Sequence, residues 1–301
     1  MKDIYYVNSA GTKLDLLTPP YLLQTGDLFD YEWDYDSTST FLNGGEITEF
    51  YRSIKEKNLT LSIVNYGKES YYAAIDRFYE TVEYDVLRKT AGRLYFGDSY
   101  LQCFLIASNK SEWESDSSLL DNDVKLVAPV PVWTTEQTMS LYSQASGAGE
   151  ASNGLDYPYD YEYEYAGQYN LQYLQNNDFV ESNFSMIFYG PCINPYVRIG
   201  GHIYEVQTTL YDGEYLVIDS RSRTVTKHKV YGDTENLFAD WDRDNYIFQK
   251  ISAGRNPVTW PGNFGIDITL YHERSEPPWS EKTNIKKEYI ADENGKYMIT
   301  E

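Results

Sequence analysis

The chain has 301 residues, 42% of them hydrophobic and 16% aromatic, so it can bury sizeable cores and is not a disordered chain. Its 46 acidic residues against 25 basic ones give a formal charge of −21, which argues against a phosphate-gripping nucleic-acid binder and against docking on anionic lipid. No apolar run of about 18 residues is present, so no membrane span is expected, and the start "MKDIYYVNSAGTKLDLL" has no apolar signal core, which points to synthesis in a cytosol.

Taken in chain order, the first segment reads as extended. Residues 29–36, "FDYEWDYD", alternate Phe29, Tyr31, Trp33 and Tyr35 with acids, the period-two pattern of a half-buried strand. Gly44-Gly45 marks a turn, and "TLSIVNYG" (60–67) reads as a short apolar strand. The period then changes. Ile75, Phe78, Tyr79, Val82, Val86 and Leu87 form the stripe of one surface helix, with Arg88 and Lys89 in its last turn and Gly92 as its stop. That helix either covers a sheet of its own domain or packs beside a neighbouring subunit.

Two strands around a Gly97-Asp98 turn follow. Pro129 and Pro131 then stiffen an extended segment that is the expected domain boundary, giving domains at 1–128 and 129–275 and an extension at 276–301. "VPVWTTEQTMSLY" reads as a strand of the next domain, and the Gly/Ser stretch 143–154 as a loop within it. The second half is nearly all strand. Phe184, Met186 and Phe188 share one face, as do Phe264, Ile266, Ile268 and Leu270, and Gly200-Gly201 and Asp212-Gly213 suit hairpin turns. Many short strands at regular spacing point to a β-sandwich or barrel.

A second aromatic ladder, "YPYDYEYEY" (157–165), also reads as a strand, with a packed Tyr face and an acidic outer face. Calcium fits it poorly. Asp160, Glu162 and Glu164 would stand ~6.5–7 Å apart on a strand, whereas two oxygens on one calcium lie within ~5 Å of each other.

Motifs for catalysis are missing: no G-x-S-x-G elbow, no H-E-x-x-H, no Walker loop. Cys103 and Cys192 are expected as buried free thiols, and His202, His228 and His272 show no metal spacing. No catalytic residue, cofactor or metal is therefore assigned.

"YYVNSAGTKLDLLTPPYLLQTGDLFDYEWDYDS" resembles the opening of the distal tail proteins of long-tailed bacteriophages. "NFSMIFYGPCINPYVRIGGHIYEVQTTLYDGEYLVIDSRSRTV" and "FGIDITLYHERSEPPW" resemble the second domain of that family, so the resemblance covers about residues 1–279. It implies a mainly β protein with one amphipathic helix: an N-terminal β-rich ring-forming (belt) domain followed by a galectin-like β-sandwich. The implied role is structural. A homohexameric ring at the tail tip, in the baseplate hub of the virion and assembled in the bacterial cytoplasm, joins the tail tube protein to the tail-associated lysin or spike hub and can anchor receptor-binding proteins. Tyr31, Trp33 and Tyr35 are then candidate subunit-interface aromatics. The alternative is a carbohydrate-binding, lectin-like adhesion module on the host surface, with Trp241 and Trp260 as the sugar or partner contacts, against the plainer reading that both plug the sandwich edge.

Overall fold

A computed structural model describes residues 2–40, 44–64, 68–111, 119–143, 172–280, 289–291 and 297–299. The chain opens with β1 (Ile4–Val7), β2 (Lys13–Asp15), β3 (Tyr21–Gly26), β4 (Asp34–Thr40), β5 (Gly44–Tyr51) and β6 (Lys55–Val64). Helix α1 (Lys68–Arg88) follows, then β7 (Gly92–Phe96), β8 (Ser99–Ser111), β9 (Leu119–Ala128) and β10 (Trp133–Leu141). Next come β11 (Gln172–Asn176), β12 (Asn183–Tyr189), β13 (Cys192–Ile193), β14 (Tyr196–Ile199), β15 (His202–Glu205) and β16 (Thr209–Leu210). The described chain continues through β17 (Tyr215–Asp219), β18 (Thr224–His228), β19 (Thr234–Asn236), β20 (Gly254–Thr259) and β21 (Ile266–Arg274). A last hairpin pairs Tyr289–Ala291 with Tyr297–Ile299.

The architecture is mainly β with one helix among the described residues, as expected. The largest sheet runs β19-β18-β17-β12-β21-β10-β8-β7-β1-β2, and β9, β6 and β3 continue from β8. A second sheet, β11-β20-β14-β15, faces its β12–β21 region. Phe184 on β12 meets Tyr204 on β15 edge-on, ring centroids 5.1 Å apart, so the two sheets close one core. Period-two alternation builds that core: Phe184, Met186, Phe188, Leu216, Ile218, Ile266, Ile268 and Leu270 are all buried. Each such side chain contributes about 1.5–3 kcal/mol on burial. A separate core gathers Tyr6, Tyr21, Leu61, Ile63, Phe78, Leu94, Leu126 and Trp133.

Several local expectations change. The alternating pattern of 29–36 does not form one strand. Residues 27–33 are a loop and β4 begins only at Asp34. Phe29 alone packs into a core, while Tyr31, Trp33 and Tyr35 are exposed. The loop is held from below by Lys57, a buried ammonium that donates to the carbonyls of Asp27, at 3.0 Å, and Asp30. Those bonds take the loop carbonyls out of any ladder. The strand expected at 60–67 is longer toward its start, Lys55–Val64. The turn at Asp212-Gly213 is present, with Glu214 N–H donating to Tyr211 O at 3.0 Å, but it does not close a hairpin. It carries the chain from β16, paired with β13, to β17 in the large sheet. The ladder 157–165 and the stretch 144–154 lie outside the described residues.

Helix α1 packs Tyr71, Ala74, Phe78 and Val82 inward, while Val86 and Leu87 are exposed rather than part of the stripe. In the last turns the inward position is taken by Asp85, which is fully buried. Its carboxylate accepts from the Tyr6 hydroxyl and from the Ser9 amide and hydroxyl, at 2.7 and 2.6 Å, fastening β1 and the loop after it to the helix end. Burial, then the bond to Asp85, pushes the Tyr6 hydroxyl pKa well up. Gly92 is not the helix stop. Lys89 adopts the left-handed conformation (φ 57°), Thr90 N–H donates to Asp85 O at 3.1 Å and Lys89 N–H to Val86 O at 3.2 Å, a Schellman termination.

Candidate assembly surface

Strands β4 and β5 form a sheet of their own and pair with no other strand among the described residues. Eight residues of β5 make an arm about 25 Å long at ~3.3 Å per residue. An isolated two-stranded ribbon is marginal in water and needs a surface to lie on.

The register sorts its side chains. Tyr35 pairs with Phe50 and Ser37 with Ile47, and Thr48 is an extra residue in the shift between Asp36 and Ser37. Paired residues share a face and successive ones alternate, so Tyr35, Phe50 and Ile47 lie together. Asp36, Glu49 and Glu46 fall on the other face. Without the extra Thr48, Ile47 would sit among these acids. The bulge therefore makes the ribbon two-faced, apolar on one side and acidic on the other. The apolar side is bare: Tyr35 and Phe50 are each 58% exposed and Ile47 is 49% exposed. The Tyr35 and Phe50 rings are neighbours, centroids 6.4 Å apart.

The base of the arm is fixed. Ser53 donates its hydroxyl and amide to Asp34 Oδ2 at 2.6 and 3.2 Å, and Lys55 Nζ reaches Asp34 Oδ1 and Glu32 Oε2 at 3.2 Å each. The Ser53 hydroxyl, its amide and Lys55 together hold the Asp34 carboxyl below its ordinary range. The Arg52 guanidinium covers the Trp33 ring and donates to Ser275 Oγ at 3.1 Å.

Beside this base four rings converge. Phe29 lies 4.9 Å from Phe96, 5.6 Å from Trp133 and 4.8 Å from Trp279, centroid to centroid. Lys2 donates to Pro278 O at the same place. The loop before β4, the β7 end, the β10 start and the segment after β21 thus meet in one cluster. Sequence reading missed it because its members come from four separated stretches.

The other expected contacts fare differently. Trp260 is buried in the sandwich core and donates its indole N–H to Phe264 O at 3.2 Å, so no ring face is open to a sugar. Of the two readings offered for it, the packing one describes this position. Trp241 is half-buried against the same core and meets Tyr246 edge-on at 6.1 Å. Tyr31 and Trp33 are exposed in the loop before β4 and Tyr35 on β4 itself, and of the three only Tyr35 belongs to the apolar face of the arm. Among the described residues no group of three or more His, Cys, Asp or Glu is placed to hold a metal ion, and no helix is long and apolar enough to cross a membrane.

No protein-family model matches the sequence, and no curated protein matches it. Solved structures do match. The crystal structure of the Dit protein of phage SPP1, described as a paradigm of the hub adsorption apparatus in phages infecting Gram-positive bacteria, superposes with a TM-score of 0.56 at 10% identity, covering 91% of this chain and 99% of that one. A chain of the phage P2 baseplate in its activated conformation with Ca gives a TM-score of 0.59 at 14% identity, covering 92% and 99%. The same baseplate with Sr gives 0.59 at 14% identity, covering 92% and 100%. Nearly the whole chain, both cores included, therefore has the fold of the phage distal tail hub and baseplate proteins.

Proposed function

We propose that this chain is a structural protein of a phage tail tip, a distal tail protein whose residues 1–128 assemble into a hexameric ring and whose residues 129–275 project from it as a galectin-like sandwich. The ring joins the tail tube to the tail-tip hub and its lysin or spike, with the sandwich open to receptor-binding proteins. The chain has no catalytic role in this reading. The observation that supports it is the two-faced arm β4–β5, whose apolar side is exposed and covered by nothing among the described residues. An arm of this kind gains stability by lying on another body, and a head-to-tail contact whose rotation closes builds a ring. Obligate interfaces of this sort bury about 2,000–5,000 Å² and are apolar and aromatic at their centre.

Native mass spectrometry of the full chain tests the proposal. A species of six copies is expected, together with its loss in the double variant Ile47→Ser/Phe50→Ser while the circular dichroism of the chain is kept. A wild-type chain that stays monomeric at all concentrations, or a double variant that assembles as well as wild type, overturns it.

A further inference from the structure

A chain of charge −21 has little basic surface to spare, yet one cleft concentrates it. Where the N-terminal half meets the sandwich lies a cavity of about 560 Å³ lined by Arg52, Arg221, Arg223, Lys250, Asp219 and Glu273. Both acids are engaged by their neighbours. Asp219 Oδ1 accepts the backbone N–H groups of Arg221 and Ser222 at 2.8 and 3.0 Å, and Glu273 Oε2 accepts from Asn183 Nδ2 at 2.7 Å, with Oε1 4.0 Å from Arg221. Four cations against two acids leave an excess of two positive charges on the wall.

These cations are held in place. Arg221 lies over the Tyr271 ring, 3.5 Å from its centroid, and Arg52 over Trp33 at 3.8 Å, so a ring sets the position of each guanidinium. The turn after β17 brings in the third. Asp219 fixes that turn through its two backbone bonds, and Arg223 sits in it with φ 53°, left-handed backbone that favours Gly or Asn. The turn thus forgoes the residue it would fold with most easily and places a cation on the cavity wall. Arg223 and Lys250 are exposed, and among the described residues neither makes an ion pair.

The excess charge selects the ligand. A carboxylate brings one negative charge, whereas a phosphate monoester brings close to two at neutral pH, with three strong acceptor oxygens. Guanidinium groups bind such oxygens in parallel pairs. A bare ion would leave most of the cavity empty, since cavities of roughly 300–1,000 Å³ hold small organic molecules. Gln102 and Ser222 on the wall add an amide and a hydroxyl that suit a hydroxylated body. We propose that this cleft binds a small phosphate monoester of a sugar or polyol, with Arg52, Arg221, Arg223 and Lys250 supplying the charge that holds its phosphate group. The site uses none of the apolar side of the arm, so it stands or falls apart from the ring.

Isothermal titration calorimetry of the full chain with glucose 6-phosphate and with glycerol 3-phosphate tests this. Saturable binding at one site per chain is expected for at least one of them, with no binding of glucose or glycerol alone. In Arg223→Gln/Lys250→Gln that binding should weaken by about tenfold or more, because two charge-assisted contacts are lost. Both positions are exposed, so an unchanged thermal midpoint serves as the control for folding. Affinity should also fall as the pH is lowered from about 7.5 to about 5, since the phosphate takes up its second proton near ~6 while the four cations stay charged. Absence of saturable binding by both esters, wild-type affinity in the double variant, or an affinity that does not change with pH overturns the proposal. Inorganic sulfate that binds as tightly as the esters shows an adventitious ion only, and overturns it as well.

Discussion

Arg52 and Trp33 stack face to ring at 3.8 Å, and the same guanidinium donates to Ser275, so one cation ties the base of the arm to the chain just after β21. Lysine cannot reproduce a planar stack and a directed donor together. Arg52→Lys should cost about 0.5–2 kcal/mol in stability. More specifically, amides of β4 and β5 should exchange faster with solvent while those of β12 and β21 are unchanged. Uniform acceleration across the chain would contradict the local role.

Gly92 is demanded by its neighbours. A Cβ there would overlap the Tyr6 hydroxyl and the Asp85 carboxylate, the buried pair that fastens β1 to α1. Gly92→Ala should destabilise the chain by about 1–3 kcal/mol through overpacking. The paired change Gly92→Ala/Tyr6→Phe removes one clashing atom, the Tyr6 oxygen, while Asp85 Oδ2 and the Tyr6 ring carbon stay close, and it should still cost less than the sum of its parts. Additive midpoints in a thermal melt would show that the two do not touch.

Glu214 and Lys227 form a buried ion pair at 2.9 Å beneath the β16–β17 turn. The Tyr211 amide, which donates to the carboxylate at 2.9 Å, and then Lys227 hold the Glu214 carboxyl below its ordinary range. A carboxyl whose folded pKa is lowered stabilises above the unfolded value, near ~4.3, and loses that contribution as pH falls through the lower folded value. The melting midpoint should therefore drop on acidification below about pH 4, and less steeply in Glu214→Gln. Lys227→Met at neutral pH should cost about 2–4 kcal/mol, since it strands the carboxylate.

Both cysteines are free and buried. Burial pushes the Cys103 thiol up to about 12, despite its backbone hydrogen bond with Leu94, and pushes Cys192 up to about 11. The thiolate is the reactive form, so neither should label with a thiol reagent at neutral pH until the chain unfolds. Fast labelling of native protein would show that one of them is reached by solvent.

The sandwich was legible because half-buried strands write their burial into every second residue, as Phe184, Met186 and Phe188 do. The arm was legible only in part. The alternation around Tyr31, Trp33 and Tyr35 pointed to a strand, but the same pattern describes a packed strand and one that projects into solvent. What separates them is the buried Lys57 under the loop and the extra Thr48, and neither leaves a periodic trace. Asp85 was hidden for a similar reason: an acid in a helix reads as solvated until Tyr6 and Ser9, some 76 residues and more away, supply its donors.

Strand β10 belongs to both halves of the molecule. Its first three residues, Trp133–Thr135, pair with β8, and the whole strand pairs with β21. Linked domains usually swing about their connection. Here any twist of the sandwich against the N-terminal half must shear backbone hydrogen bonds and pull the four-ring cluster apart. A load applied to the outer end of the sandwich is therefore carried inward as torque, and the molecule acts as a lever rather than a hinge.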